Sequence, residues 1–214
     1  MLLDLVAGGG RLPPTPFLEV VPAPSARDYA VLSFPARAVV AAPVTADWVA
    51  AHLPDTGDEY SEPMNPPFLH ALERHLGRRI NSIDQMLVAS ALPGPPPLPL
   101  TEIHDHDHPR VRHAVGYRDD VRVHAATGGV LTVGRGLAGR WELSMEVDPG
   151  HRNAGLGRAL VTAARHLIPP GAHVWAQVAP GNAASTRTLL AAGFIPVGAE
   201  ALLQTPLVAV PGPS

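Results

Sequence analysis

Val147-Asp148-Pro149-Gly150-His151-Arg152-Asn153-Ala154-Gly155-Leu156-Gly157-Arg158 joins two segments of different periodicity. Upstream, Trp141-Glu142-Leu143-Ser144-Met145-Glu146-Val147 alternates apolar with polar residues, the pattern of a half-buried strand. Downstream, Leu156, Leu160, Ala163 and Leu167 recur at helical spacing, so a helix is expected to begin near Ala154 or Gly155. A glycine-containing loop that enters a helix N-terminus aims several backbone N–H groups at one point, and the helix dipole reinforces them. Gly155 and Gly157 let an anion approach the backbone with no Cβ in the way. The stretch is suited to a phosphate or a diphosphate.

Its spacing narrows the ligand. A nucleotide P-loop needs Lys-Ser/Thr after the glycines, and the chain contains no lysine. A dinucleotide fingerprint needs G-x-G-x-x-G, whereas Arg158-Ala159-Leu160 follows Gly157. The pattern present is V-x-P-x-x-R-x-x-G-x-G, from Val147 to Gly157. A second pattern follows: Asn182 opens a short amphipathic segment through Ser185 to Ala192, closed by Gly193-Phe194, and His173 to Val178 reads as the strand between the two. Each piece also has a plain structural reading, Asn182 as a helix N-cap and Gly193-Phe194 as a helix stop. Both motifs, in this order and spacing, resemble the GNAT superfamily of N-acetyltransferases, from about residue 120 to the C-terminus.

That resemblance implies a mixed α/β, GNAT-like fold: an antiparallel meander, then strand-helix-strand-helix-strand, with an additional N-terminal α/β region. It also implies acetyl-CoA as cofactor. Met145, Glu146 and Val147 would run beside the pantetheine arm, and a backbone N–H among them would polarise the thioester carbonyl. Arg152, Asn153, Ala154, Gly155, Leu156, Gly157 and Arg158 would surround the pyrophosphate, and Asn182 and Ser185 would face the pantetheine. The implied reaction is direct transfer of an acetyl group to an amine acceptor. A base helps the amine lose its proton, and the family often places an acid near the start of this strand. Glu142 is the first candidate and Glu146 the second; a bulge, common in this strand, would swap its faces partway. The family's tyrosine seven residues after the Asn is replaced by Leu189, which leaves the general acid open. A non-catalytic acyl-CoA-binding sensor or assembly module is the alternative.

Composition sets the outer limits. The 214 residues suffice for one large domain, or one domain with a small companion, and 46% hydrophobic content is ample for a core. With no cysteine, disulfide scaffolds, Cys-ligated zinc and thiol nucleophiles are excluded. The sixteen basic residues, all arginine, are scattered and the net charge is −3, so no nucleic-acid partner is expected. Met1 to Val6 lacks a basic n-region and is broken by Asp4, and no apolar run reaches membrane length. A cytoplasmic protein without a membrane partner is expected, with a homodimer left open. His104-Asp105-His106-Asp107-His108 would set three imidazoles on one side if extended, yet it adjoins a Pro-rich segment that offers ligands no support, so no metal is assigned.

Strands are expected at Val121 to Ala126, Val130 to Leu137 and Arg140 to Val147, forming the meander, with a last strand from Ile195 to Leu203 before a frayed Pro-rich tail at 206–214. Pro109 to Arg118 reads as a helix capped near Asp107. Leu92 to Pro99 must be extended and marks a linker, which divides the chain into an N-terminal region 1–98 of open role and an acetyltransferase domain 99–214. Within the former, strands are expected at Ala38 to Ala42 and Gln85 to Ser90, and helices at Ala46 to His52 and Phe68 to Leu76. Some of these upstream elements should complete the core.

Overall fold

The alternating stretch 141–147 forms a strand, the loop after it turns into a helix at Leu156, and a second strand–helix pair follows, as the patterns require. The computed structural model describes residues 2–10, 12, 17–104 and 108–205. In chain order the elements are α1 (Leu2–Ala7), β1 (Leu18–Val21), β2 (Tyr29–Phe34), β3 (Arg37–Ala41), α2 (Ala46–His52), α3 (Pro66–Leu76), β4 (Arg79–Ser90), β5 (Thr101–Ile103), α4 (Pro109–Tyr117), β6 (Asp119–Ala126), β7 (Gly129–Arg135), β8 (Trp141–Val147), α5 (Leu156–His166), β9 (His173–Val178), α6 (Ala183–Ala191) and β10 (Ile195–Gln204). No described helix is long and apolar enough to cross a membrane.

The chain divides into two compact units. Of the described residues, one unit holds 2–10, 12 and 84–198, and the other 17–83 and 199–205. This differs from a division at 98/99: Asp84 to Ser90 of β4 cluster with the meander, and the end of β10 clusters with the N-terminal residues.

In the larger unit, β5, β6, β7 and β8 form the antiparallel meander, β9 runs parallel to β8, and β4 pairs antiparallel with β9 from Gln85↔Val178 to Ser90↔His173. A strand from upstream thus completes the sheet. Because side chains alternate, Leu131, Val133 and Leu143 share one face and meet Leu160, Val161, Ala163 and Ala164 of α5 in a core that also takes in Leu87, Val174, Ala176, Leu189 and Phe194. The opposite face is covered by α4 through Val111 and Ala114, both fully buried. Arg165 anchors the end of α5, its Nε donating to Ser90 O at 2.9 Å and its Nη1 to Ala192 O at 2.7 Å.

Two expectations change here. The second meander strand stops at Arg135 rather than Leu137, because a 3-10 turn at Leu137–Gly139 with Ala138 at φ 53° makes the connection. α4 is capped by the His108 side chain, whose Nδ1 accepts from Arg110 N at 3.1 Å. Asp107, expected as the cap, lies outside the described residues, as do Asp105 and His106 of the His/Asp cluster and the tail 206–214.

In the smaller unit β2 and β3 form a hairpin, β1 lies parallel to β3, and residues 199–203 pair with β2. Thr45 caps α2 by accepting from Trp48 N at 3.1 Å, and Gly77 ends α3 in the left-handed region at φ 63°. Val31, Val40, Val49, Phe68, Leu72 and Leu203 form its core.

Candidate active site: a cleft between two parallel strands

β8 keeps register with β7 over all seven residues, Gly129↔Val147 to Arg135↔Trp141. With β9 it pairs only at Trp141↔Val174 and Glu142↔Trp175, and beyond Glu142 the two parallel strands part. The bulge expected in β8 is absent from its register with β7. Which groups face the gap follows from the ladder. Gly136 N bonds Arg140 O at one end and Asp148 N bonds Gly128 O at the other, so even-numbered residues of β8 bond to β7. Met145 and Val147 therefore turn their N–H and C=O toward the gap, while Glu146 turns its own toward β7. The carbonyl of Val147 accepts from Arg152 Nε at 3.2 Å, leaving its amide N–H to the cleft.

The connecting loop delivers the helix terminus to the same opening. Asp148 leads into a 3-10 turn at Pro149–His151, and Asn153 (φ 62°) and Gly155 (φ 84°) take left-handed conformations that aim the chain into α5. The first helical bond is Ala159 N to Gly155 O at 3.1 Å, and no side chain caps this end. Among the described residues no acceptor bonds the backbone N–H groups of Asn153 to Arg158, and Asn153, Ala154, Gly155 and Arg158 are exposed. A Cβ on Gly157 would come within 3.5 Å of Thr188 Cγ2, 3.6 Å of Met145 Cε and 3.7 Å of Val147 Cγ2, so its missing side chain keeps open the space between β8, α5 and α6.

On α6, Asn182 Oδ1 accepts from Ser185 N at 3.1 Å, which makes Asn182 the N-cap. Leu189, where a tyrosine was of interest, is 3% exposed and belongs to the core. Thr188, one turn beyond Ser185, is the α6 residue that meets Gly157.

The other face of β8 is polar and lies under α4. Glu142 is buried between two guanidinium groups: Arg118 Nε bonds Oε2 at 2.9 Å and Arg140 Nε bonds Oε1 at 2.8 Å. Burial alone would raise its pKa, but Arg140 and then Arg118 overcome that and hold it at about 2. Gly136 makes room for the carboxylate; a Cβ there would sit 2.1 Å from Glu142 Cδ. Farther along, Arg118 Nη1 bonds Ser144 Oγ at 3.1 Å, Ser144 Oγ lies 2.7 Å from Thr132 Oγ1, and Glu146 Oε2 lies 3.5 Å from Arg110 Nε. The side chain of Glu146 is 42% exposed.

The family model for the acetyltransferase (GNAT) family matches residues 80–194, more than half of the chain. The chain belongs to the GNAT family. Its mixed α/β architecture, meander and splayed parallel strands are the fold of that family. Among solved structures it is similar to a GCN5-related N-acetyltransferase from Kribbella flavida (15% identity, TM-score 0.41, 68% of this chain and 66% of that one). It is also similar to one from Sphaerobacter thermophilus (17%, 0.37, 65% and 56%) and to a GNAT-family acetyltransferase from Colwellia psychrerythraea (9%, 0.43, 78% and 76%). The chain thus spans just under two thirds of the first of these and little over half of the second. No curated protein matches it in sequence.

Of the residues that the family resemblance singled out, Gly157 lies beside Met145 and Val147, Arg152 bonds the Val147 carbonyl, and Ser185 follows the capping Asn182 on α6. Glu142 does not belong with them. A carboxylate at about 2, enclosed and bonded on both oxygens, is a poor proton acceptor near neutrality, so its expected role as base is corrected to that of a buried ion-pair centre. Sequence reasoning missed Thr188, Arg110, Arg118 and Arg140. Arg140 had a signal, since it shares a strand face with Glu142 two residues on; Arg110 in α4 and Arg118 just after it had none.

Proposed function

We propose that the chain is a cytoplasmic acetyltransferase that moves the acetyl group of acetyl-CoA to an amine by direct attack. The observation carrying this reading is the row of unbonded amides from Asn153 to Arg158, beside the open edge of β8. These amides are open to solvent or half-buried and point from a helix N-terminus, an arrangement that favours an anion such as a diphosphate. When bound, acetyl-CoA supplies an activated acyl group on a thiol leaving group. The N–H of Met145 or Val147 would donate to the thioester oxygen and stabilise negative charge as it develops there. The amine nitrogen forms the new N–C bond, the C–S bond breaks, and the ammonium gives up two protons, one reaching the thiolate and one the solvent. Glu146, exposed and one residue from both cleft-facing amides, is the proposed proton acceptor, directly or through water.

With Leu189 buried, no tyrosine stands on α6 to protonate the thiolate. A thiol of pKa about 8.5 leaves tolerably well near neutrality. A general acid is typically worth about 10²- to 10⁴-fold, whereas positioning contributes ~7–11 kcal/mol, so turnover survives its loss. The test has two parts. Acetyl-CoA at a hundred times its Kd should stabilise the protein by about 2.7 kcal/mol, visible as a rise in Tm. Thiol release in the presence of amines is then read with a thiol-reactive chromophore, free of protein background because the chain has no cysteine. Absence of any stabilisation by acetyl-CoA would refute the reading.

A further inference from the structure

The polar face of β8 narrows the class of acceptor, an inference that rests on the transferase reading above. The charged side chains whose contacts reach this face are Arg110, Arg118 and Arg140 against Glu142 and Glu146. Glu142 is consumed by Arg118 and Arg140, so the groups left at the open end are Arg110 and Glu146. Their contact is loose. Arg110 Nε stands 3.5 Å from Glu146 Oε2, makes no hydrogen bond and is buried, although the side chains as a whole are 39% and 42% exposed. Arg110 is thus held beside Glu146 by a long ion pair rather than a hydrogen bond, and the exposed part of its side chain is free to meet a ligand carboxylate. His113, one turn along α4 from Arg110, reports the same positive surroundings: burial first, then Arg118 and Arg110, lower the pKa of its imidazole.

Glu146 also sits between Met145 and Val147, whose amides face the cleft, so this pair lies beside the point where the acyl carbon would be held. An anion-seeking arginine next to an exposed carboxylate is the complement of a molecule with ammonium and carboxylate on one carbon. We propose that the acceptor is a free α-amino acid, its ammonium received by Glu146 and its carboxylate by Arg110. The amino nitrogen attacks the thioester carbon, N–C forms as C–S breaks, and of the two protons lost by the ammonium one ends on the coenzyme thiolate and one in solvent.

The experiment compares each of the twenty amino acids with its decarboxylated amine (phenylalanine with phenethylamine, lysine with cadaverine, and so on), using acetyl-CoA and the thiol-release readout. At least one amino acid should exceed its matched amine by about tenfold or more in kcat/KM, the worth of one charge-assisted hydrogen bond. Arg110→Gln should collapse that preference by raising KM for the amino acid, Arg110→Lys should restore part of it, and acetyl-CoA affinity should stay within about twofold in both. Equal rates for matched pairs, a preference that survives Arg110→Gln, or binding of acetyl-CoA without acetylation of any amino acid would each overturn the inference while leaving the cofactor site standing. Failure of the parent protein to bind acetyl-CoA would remove both.

Discussion

Replacing Glu142 by Gln tests whether this carboxylate is the centre of a buried ion pair rather than a base. The side chains of Glu142, Arg118 and Arg140 are 6%, 8% and 3% exposed, with N–O contacts of 2.9 and 2.8 Å. At an effective dielectric of about 20, a pair in contact gains ~4 kcal/mol of Coulomb energy, much of it offset by lost hydration. The amide keeps the shape but leaves two enclosed guanidinium groups facing no charge. Breaking a buried pair in this way typically costs ~3–5 kcal/mol. With a urea dependence of about 1–3 kcal/mol per molar, the unfolding midpoint should fall by roughly 1 M or more at pH 7. The pH dependence supplies a second reading. The folded pKa, about 2, lies below the ordinary 4.5, so the stabilisation is complete above 4.5 and fades as pH drops toward 2. Parent and variant should converge across that window. A loss below about 1 kcal/mol at pH 7, the range of exposed pairs, would refute the buried-pair reading. So would the disappearance of the acid limb of kcat/KM in the variant, since that would return Glu142 to the role of base.

Three further outcomes follow from particular contacts. Gly157→Ala should retain stabilisation by acetyl-CoA, since its Cβ meets ordinary contacts of 3.5–3.7 Å, whereas Gly157→Val should lose it by filling the gap toward Met145 and Thr188; equal melting shifts would misplace the cleft. Arg165→Ala removes two charge-assisted bonds, to Ser90 O and Ala192 O, and should cost about 1–3 kcal/mol in urea unfolding; a change of only a few tenths would show those bonds to be incidental. The His113 imidazole should titrate below 6.5 by proton NMR, and because the unfolded chain then binds the extra proton, stability should decline as pH falls through 6.5; His113→Gln should remove that part of the slope, and a midpoint above 6.5 would contradict it.

The meander, the loop, α5 and α6 were legible because their patterns are local: alternation for β8, a glycine at the helix entry, an Asn cap, and Gly193-Phe194 at the stop. The elements that escaped are of three kinds. β1 has only four residues and α1 six, too short for a period to register. β2 is buried on both faces, so Tyr29 to Phe34 shows no alternation. The first half of β4, Arg79 to Asp84, is polar and reads as loop; only the apolar part from Gln85 looks like strand. Tertiary pairing decided these segments.

The site divides along the same line, for a reason rooted in its chemistry. At the proposed cofactor end the groups offered are backbone amides, so sequence constrains what must be absent: a Cβ at 155 and 157, and a side-chain cap at the start of α5. Such a constraint is written as glycines at fixed spacing and can be read from one chain. The apex of the cleft, by contrast, depends on side chains from separate elements. Glu142 is both the last β8 residue paired with β9 and the centre of the ion triad, and Arg140 also lies 5.1 Å over the ring of Trp175, the residue that pairs with Glu142. The triad thus holds the two strands together at the point where they begin to part, and the amides of Met145 and Val147 come free only beyond it. Removing its charge should therefore weaken acetyl-CoA binding along with stability, without Glu142 touching the cofactor. If Glu142→Gln lost stability yet bound acetyl-CoA as tightly as the parent, the parting of the strands would have to be set by the turn at 149–155 instead.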